Sequence, residues 1–315
     1  MRQLFLTIAI LISGISAVNA QSDFELSQRW FNEAIYNPAA TGNSYSMGVF
    51  MHARRQWFGI DRAPKTGVIS ADMFIPAIRS AVGFNVSADK IGFTSAYSAR
   101  LAYAHYIPIN SKSSLSLGFS ATLLCWDFNI TDASIVDPSD PLLTIGKRTD
   151  YNPDFDFGVE YLGPVKVGVS VRHLFKVSST DYHPGYSRNL WAYASTRLNA
   201  LSKISVEPTL SYTFHDRVSR YEAGAIFYFG KTDPKHKLND RFWLGGMYRF
   251  NSQLAVLAGM HVTPRIRLGY SFDYSLGDAR HLSKVGTHEI FVSWHLNRAF
   301  YKNFELCPAY KSYKR

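Results

Sequence analysis

Long hydrophobic runs are scarce in this chain of 315 residues. After Ala20, no segment approaches the roughly 20 consecutive apolar residues that a membrane-spanning helix requires, and the mean hydropathy is -0.11. The chain has only two cysteines, Cys125 and Cys307, which excludes a disulfide-dense scaffold. If such a chain is exported, it is either a soluble protein or a membrane-spanning β-barrel.

The usual signals of catalysis and nucleic-acid binding are also missing. There is no G-x-S-x-G, H-E-x-x-H, P-loop or Cys-x-x-Cys pattern, and no run of five or more basic residues accompanies the formal charge of +10. A hydrolase built from His52, His105, His288 or Asp72 is the less favoured alternative, because nothing indicates a nucleophile, base and orienting group in one place. We therefore predict no enzyme, cofactor, metal site or nucleic-acid partner.

The first 20 residues have the features of a secretory signal peptide. Arg2 precedes an apolar run from Leu4 to Ile15, and the small residues Val18 and Ala20 fit a cleavage site. The run is too short to span a bilayer. We predict that residues 1–20 are removed and that the mature protein begins at Gln21.

From residue 45 to 297 the chain alternates between apolar and polar residues. In residues 265–276, aliphatic and aromatic side chains occupy one set of alternate positions, while small or charged side chains occupy the other. About fourteen segments of this kind follow one another, each ending at a turn or polar loop. This pattern predicts an all-β outer-membrane antiparallel barrel of about fourteen strands, in which Pro208 requires a bulge or a shifted strand end.

The charged residues of these segments lie opposite the apolar stripe, so they are predicted to face the lumen. A soluble β-sandwich or solenoid would instead carry its charges on the outside. The same parity places Trp126, Trp191 and Trp243 inside, which a simple aromatic girdle does not predict. The predicted lumen residues are Arg54, Arg100, Glu160, Arg172, Glu207, Arg249, Arg265, Arg267, Asp273 and Glu289.

An even strand number places both ends of the barrel on one side, which we predict to be periplasmic. Most tight turns then fall on that side, and the long connection over residues 128–154 falls outside. Cys125 would lie near the outer end of its strand and Cys307 beyond the inner end of the last strand. A wall of about 25 Å separates these ends, whereas a disulfide needs Cα atoms roughly 6 Å apart, so we predict that the cysteines do not pair.

Two segments flank the barrel. Residues 21–44 lack strand alternation and are predicted to form either a short element packed at or inside the barrel mouth or a flexible leader. Residues 298–315 form a basic, aromatic tail, predicted to be periplasmic and to dock a partner, with a disordered terminus as the alternative. The docking candidates are Arg298, Tyr301, Lys302, Tyr310, Lys311 and Arg315.

A set of short motifs, in order along the mature chain, resembles the PorP/SprF family of type IX secretion system membrane proteins. The motifs are Asn37-Pro38-Ala39-Ala40-Thr41-Gly42, Arg54-Arg55-Gln56-Trp57-Phe58-Gly59, Ala63-Pro64-Lys65-Thr66, Asp89-Lys90-Ile91-Gly92, Gly168-Val169-Ser170-Val171-Arg172-His173-Leu174, Leu268-Gly269-Tyr270-Ser271-Phe272-Asp273-Tyr274-Ser275, Gly286-Thr287-His288-Glu289-Ile290 and Cys307-Pro308. Small departures occur, such as Thr287 where the family usually has serine.

The resemblance implies a non-enzymatic, multi-pass protein of the outer membrane in a Bacteroidota-type bacterium, serving type IX secretion and, by extension, gliding motility. The partners it implies are outer-membrane lipids, periplasmic secretion components, and secreted cargo such as large adhesins or their C-terminal domains. A small-solute porin or transporter is the alternative, because the barrel alone would equally allow it.

Overall fold

A computed structural model describes residues 23–43, 46–111, 113–130, 146–175, 185–201, 203–215, 218–231, 239–276, 280–281 and 285–296. Antiparallel strands dominate this part of the chain. The strands are β1 Met47–Arg55, β2 Lys65–Ile75, β3 Ser80–Ile91, β4 Thr94–Asn110, β5 Ser113–Asn129, β6 Lys147–Leu162, β7 Lys166–Arg172, β8 Asn189–Ser195, β9 Leu198–Leu201, β10 Ile204–His215, β11 Val218–Lys231, β12 Asn239–Arg249, β13 Gln253–Thr263, β14 Ile266–Ser275 and β15 Thr287–His295. No helix among these residues is long and apolar enough to cross a membrane.

The strands form a closed ring. Apart from β8 and β9, each pairs with its neighbours in sequence, and β1 closes the ring by pairing with β15 as well as β2. β8 and β9 both pair with β10 and lie end to end, so they occupy one position and the ring has fourteen. The break between them lies opposite Pro208, which cannot donate a ladder hydrogen bond. The predicted fourteen-strand outer-membrane barrel is confirmed.

The alternating sequence explains which side of each strand faces outward. On β5, Leu117, Phe119 and Leu123 are exposed on the outer wall, whereas Ser116 and Ser120 at alternate positions are buried inside. Large apolar side chains cover the outer wall around the ring, as a surface in contact with lipid requires. The polar inner wall therefore needs partners inside the barrel.

The two ends of the ring differ in their connections. One end carries the start of β1, the end of β15 and the connections 76–79, 111–112, 163–165, 202–203, 232–238 and 264–265. The other end carries the connections 56–64, 92–93, 130–146, 173–188, 216–217, 250–252 and 276–286. Because short periplasmic turns and longer external loops are typical of such barrels, we refer to these as the inner and outer ends.

Candidate functional site: a folded segment inside the barrel

Residues 23–43, which we call the plug, fold inside the ring of strands. They contain three short 3-10 helices, Arg29–Phe31, Glu33–Ile35 and Pro38–Ala40. The plug begins near the outer end, where Asp23 meets His173, and finishes near the inner end, where Gly42 lies against Ala81. The sequence predicted either this arrangement or a flexible leader, and the plug is almost entirely buried.

Local sequence signals shape the last third of the plug. The side chain of Asn37 accepts a hydrogen bond from the backbone N–H of Ala39, and Pro38 supplies a fixed φ at the first helical position. Gly42 then adopts a φ of +71°, and a Cβ atom there would lie 2.5 Å from Cβ of Ala81. Only glycine fits both requirements, so the chain can turn against the wall before β1 begins.

Two glycines in the wall form a seat for the plug. Gly118 on β5 lies directly opposite Gly158 on β6. A Cβ atom on Gly118 would lie 2.1 Å from the backbone nitrogen of Ala39, and one on Gly158 would lie 1.9 Å from Oδ1 of Asn37. The plug main chain therefore occupies the space that wall side chains would otherwise fill.

Aromatic side chains fill the middle of the lumen. The ring of Phe31 stacks on Phe291 with centroids 5.3 Å apart and lies 5.0 Å from Trp243. Tyr36 packs edge-on against Trp191 at 5.5 Å. These contacts account for two of the three inward tryptophans, because their partners belong to the plug rather than to the lipid interface.

A carboxylate of the last strand holds the plug by its backbone. Glu289 accepts hydrogen bonds from the N–H groups of Ser27 and Gln28, at 2.8 and 3.0 Å. Arg54 lies 3.0 Å from Glu289 and 2.7 Å from Asp273, which in turn accepts the Ser27 hydroxyl. All these groups are buried, so each charge relies on its partners.

A second network of charges joins the plug to β11 and β12. Arg29 donates to Glu222 at 2.7 Å, and Glu222 also pairs with Arg249 at 2.9 Å. Glu25 of the plug pairs with Arg249 and with Arg220, at 3.1 and 3.0 Å. Burial disfavours the ionised form of Glu25, but Arg249 and Arg220 outweigh it and lower the pKa of Glu25 to about 2. The carboxylate is therefore charged at neutral pH.

A third network lies toward the inner end. Lys166 at the start of β7 donates to Glu33 of the plug. The amide of Asn43 donates to both Glu33 and Glu160, at 3.3 and 3.0 Å, while Tyr193 donates to Glu160. Burial is the main influence on Glu33 and raises its pKa, although Lys166 opposes the shift.

The plug is tied at the outer end through His173, which follows β7. Its Nε2 lies 2.9 Å from Asp23 of the plug, and its Nδ1 lies 2.6 Å from Asp154 of β6. Burial disfavours the imidazolium, but the two carboxylates outweigh this and raise the pKa of His173 to about 9. A protonated His173 therefore bridges plug and wall.

A cavity of about 90 Å³ lies beside this bridge. Asp154, Asp156 and His173 bring possible metal-ligand atoms within 4.8 Å of one another there. However, both nitrogens of His173 already contact carboxylates, and Arg100 lies 3.3 Å from Asp156. This geometry is that of an ion-paired cluster, and a cation would have to compete with the positive groups already present.

We expect the outer attachment of the plug to weaken at alkaline pH. The pKa of His173 is raised from 6.5 to about 9, so its stabilising charge is complete below pH 6.5 and is lost as the pH rises through about 9. Brief conductance openings in a planar bilayer should become more frequent across that range. His173→Gln should remove the step, and an unchanged pH profile in this variant would contradict the assignment.

The structure brings most of the predicted lumen residues to the plug. The guanidinium of Arg267 lies 5.7 Å from the ring of Phe31 in the plug. Glu207 is half-buried and accepts a hydrogen bond from Tyr228 of the wall instead. The residues that contact the plug through polar groups are Arg54, Arg100, Glu160, Arg172, Arg249, Asp273 and Glu289.

Arg265 departs from the prediction. It lies exposed in the turn before β14, because the Oγ1 of Thr263 accepts hydrogen bonds from the N–H groups of Arg265 and Ile266 and ends the strand pattern there.

The docking candidates Arg298, Tyr301, Lys302, Tyr310, Lys311 and Arg315 lie outside the described residues, as does Cys307. Cys125 is a free thiol.

Sequence reasoning missed several charged partners. Glu222 lies directly opposite Arg249 on the neighbouring strand, and Asp156 lies two residues from Asp154 on the same face of β6. The alternation of side chains along each strand predicts that all of these residues face inward, so the sequence contained the information. Lys166 was harder to find because it begins a strand, where facing is ambiguous.

The family model described as type IX secretion system membrane protein PorP/SprF matches residues 18–294. The chain belongs to this family. As a PorP/SprF protein it is a multi-pass outer-membrane component of type IX secretion, which indicates a secretion or transport role rather than an enzymatic one.

No curated protein matches this PorP/SprF chain. Among solved structures, the outer-membrane protein Omp33 of Acinetobacter baumannii is 12% identical, with a TM-score of 0.47 over 81% of this chain and 100% of that one. A Pseudomonas aeruginosa FadL homologue is 10% identical, with a TM-score of 0.48 over 84% and 94% of the two chains. The KdgM porin is 8% identical, with a TM-score of 0.40 over 79% and 99%.

Proposed function

We propose that this PorP/SprF protein is a plugged barrel that supports type IX export or surface attachment of cargo, such as large adhesins, through protein–protein contacts. The observation that supports this is the filled lumen. Three buried polar networks and an aromatic cluster bind residues 23–43 to the inner wall. Such a segment obstructs free diffusion through the lumen, so it favours a role in binding over one in permeation.

The porin alternative requires a continuous aqueous path. In the described part of the chain, the outer cavity is lined on one side by Ile35 and Arg100, and the guanidinium of Arg100 donates to the backbone carbonyl of Ile35. Below this point, Gly118 and Gly158 let the plug main chain touch the wall. Solute passage would require the plug to move, so the resting protein is better suited to binding than to diffusion.

Contacts with partners are then made at the two ends of the barrel. Periplasmic secretion components meet the inner end and the tail over residues 298–315, where arginine, lysine and tyrosine provide charge and anchoring area. Secreted cargo, or its C-terminal domains, meets the outer loops. If the exported cargo is an adhesin used for gliding, then gliding motility also depends on this protein.

Deleting residues 298–315 should leave a folded barrel but abolish export of one or more surface proteins. The reason is that the tail lies beyond the last strand, so its loss removes docking groups and leaves the ring intact. Surface proteins should accumulate in the periplasm or be degraded, as quantitative proteomics of the cell surface and periplasm will show. Heat-modifiable migration in SDS gels serves as the folding control.

Two outcomes separate the parts of this proposal. If the truncated barrel inserts normally and the surface proteome is unchanged, the tail has no docking role. If deletion of the whole gene also leaves the surface proteome unchanged, the secretion role itself is wrong. Replacement of Lys302, Lys311 and Arg315 by glutamine in the full-length chain removes their positive charge and tests whether the partner recognises that charge.

A further inference from the structure

Three cations form a row on the outer wall at the outer end of the barrel. Arg55 on β1 lies directly opposite Lys65 on β2, and Lys65 lies directly opposite Lys90 on β3. Directly paired residues point to the same face of a sheet, and all three side chains are exposed. Three positive charges therefore occupy adjacent strands, which are about 4.8 Å apart.

The row has no acidic partner among the described residues. No ion pair involves Arg55, Lys65 or Lys90 in this part of the chain, and Arg55 lies instead against the ring of Phe58 at 4.6 Å. The neighbouring carboxylate of Asp89 points to the inner face, where it accepts a hydrogen bond from Thr66. Like charges on adjacent strands repel each other, so an anion bound at the row would relieve this repulsion.

A shallow recess lies directly below the row, toward the middle of the membrane. Ala53, Gly67 and Ala88 form the next outward rung on the same three strands, and a Cβ atom on Gly67 would meet nothing within 4 Å. The larger side chains of Ile290 and Tyr97 flank this rung on the adjoining strands. The recess is therefore about three strands wide and opens on the outer face of the barrel.

We propose that this row and recess bind a phosphorylated lipid of the outer leaflet. The cations hold the phosphate of the headgroup, and the recess receives the upper part of an acyl chain. The position favours a lipid over a soluble anion or an acidic peptide, because the apolar belt begins immediately below the recess at Met51 and Ile69. Basic residues at a membrane surface attract anionic lipids in this way.

Binding of purified lipopolysaccharide to the delipidated full-length protein in a nonionic detergent tests the proposal. Each lost cation should weaken binding about fivefold, so the triple variant Arg55→Gln, Lys65→Gln, Lys90→Gln should bind on the order of a hundredfold more weakly. The matched control is Lys203→Gln, Arg241→Gln, Arg265→Gln, which removes three exposed cations from the inner end. This control should bind as tightly as the wild-type protein.

Further arms distinguish the source of the anion and the role of the recess. Inorganic phosphate should not compete at matched concentration if the acyl chain contributes. Gly67→Leu, which fills the recess and leaves the cations in place, should weaken lipid binding, whereas Gly246→Leu on the outer face of β12 should not. Equal loss in both triple variants, or unchanged binding in the first, overturns the proposal. If the triple variant fails the heat-modifiability test, the single variant Lys65→Gln is measured instead, and it should bind lipopolysaccharide about fivefold more weakly.

Discussion

A barrel that lacks residues 23–43 should conduct ions steadily, whereas the complete protein should remain closed apart from brief openings. The plug supplies the ring of Phe31 and the backbone seated on Gly118 and Gly158, so its removal opens the space that these groups fill. The inner wall keeps its own aromatic side chains, but it is otherwise lined by serine, threonine and paired charges, which water solvates readily. Larger barrels with polar interiors form aqueous channels. Single-channel recording in planar bilayers compares the conductance of the deleted barrel with that of the complete protein.

The deletion has a sharp control. A synthetic peptide with the sequence of residues 23–43, added to the deleted barrel, should lower the conductance because the wall groups that bind it remain in place. A scrambled peptide of the same composition should have no effect. Large, stable conductance in the complete protein would contradict a plugged resting state and support the porin alternative. Heat-modifiable migration confirms that the deleted chain has folded.

The substitution Gly118→Ala should destabilise the protein through a single methyl group. That carbon would lie 2.1 Å from the backbone nitrogen of Ala39 and 2.2 Å from the carbonyl carbon of Pro38, so either the plug or the wall must move. Overpacking of this kind typically costs about 1–3 kcal/mol. Guanidinium unfolding of the barrel in lipid vesicles measures the loss, and plug displacement should also raise the frequency of conductance openings.

Gly246→Ala is the matched control for this change. Gly246 faces outward on β12, and the nearest atom to an added Cβ lies 4.0 Å away. Its substitution should change the free energy of unfolding by less than about 0.5 kcal/mol. Equal effects at the two glycines would show that strand conformation, rather than the plug, limits the size of residue 118.

The barrel was predictable because its signal is local. Alternation with a period of two decides whether a side chain meets lipid or lumen, and it placed Arg54, Arg249 and Glu289 on the inner wall without knowledge of the fold. Strand ends were less predictable. Arg265 continues the sequence pattern of β14, but the hydroxyl of Thr263 captures the following backbone N–H groups and keeps it in the turn.

The plug was harder to predict because its structure depends on distant residues. The hydrogen bond from Ser27 to Glu289 spans 262 positions, and that from Asn37 to Tyr193 spans 156. Three-residue 3-10 helices have no period long enough to recognise in sequence. The paired glycines Gly118 and Gly158 resemble ordinary strand glycines until their register shows that they face each other.

The seam where the ring closes affects how the protein assembles. The first and last strands meet there, with Arg54 opposite Glu289, and both residues contact Ser27 of the plug. If strands pair in chain order, this seam forms last, and a plug already in place adds its own contacts to the closing step. A ring that closed empty would later have to admit the rings of Trp30 and Phe31 through one end. The plug is therefore placed to act as a template around which the strands of the barrel close.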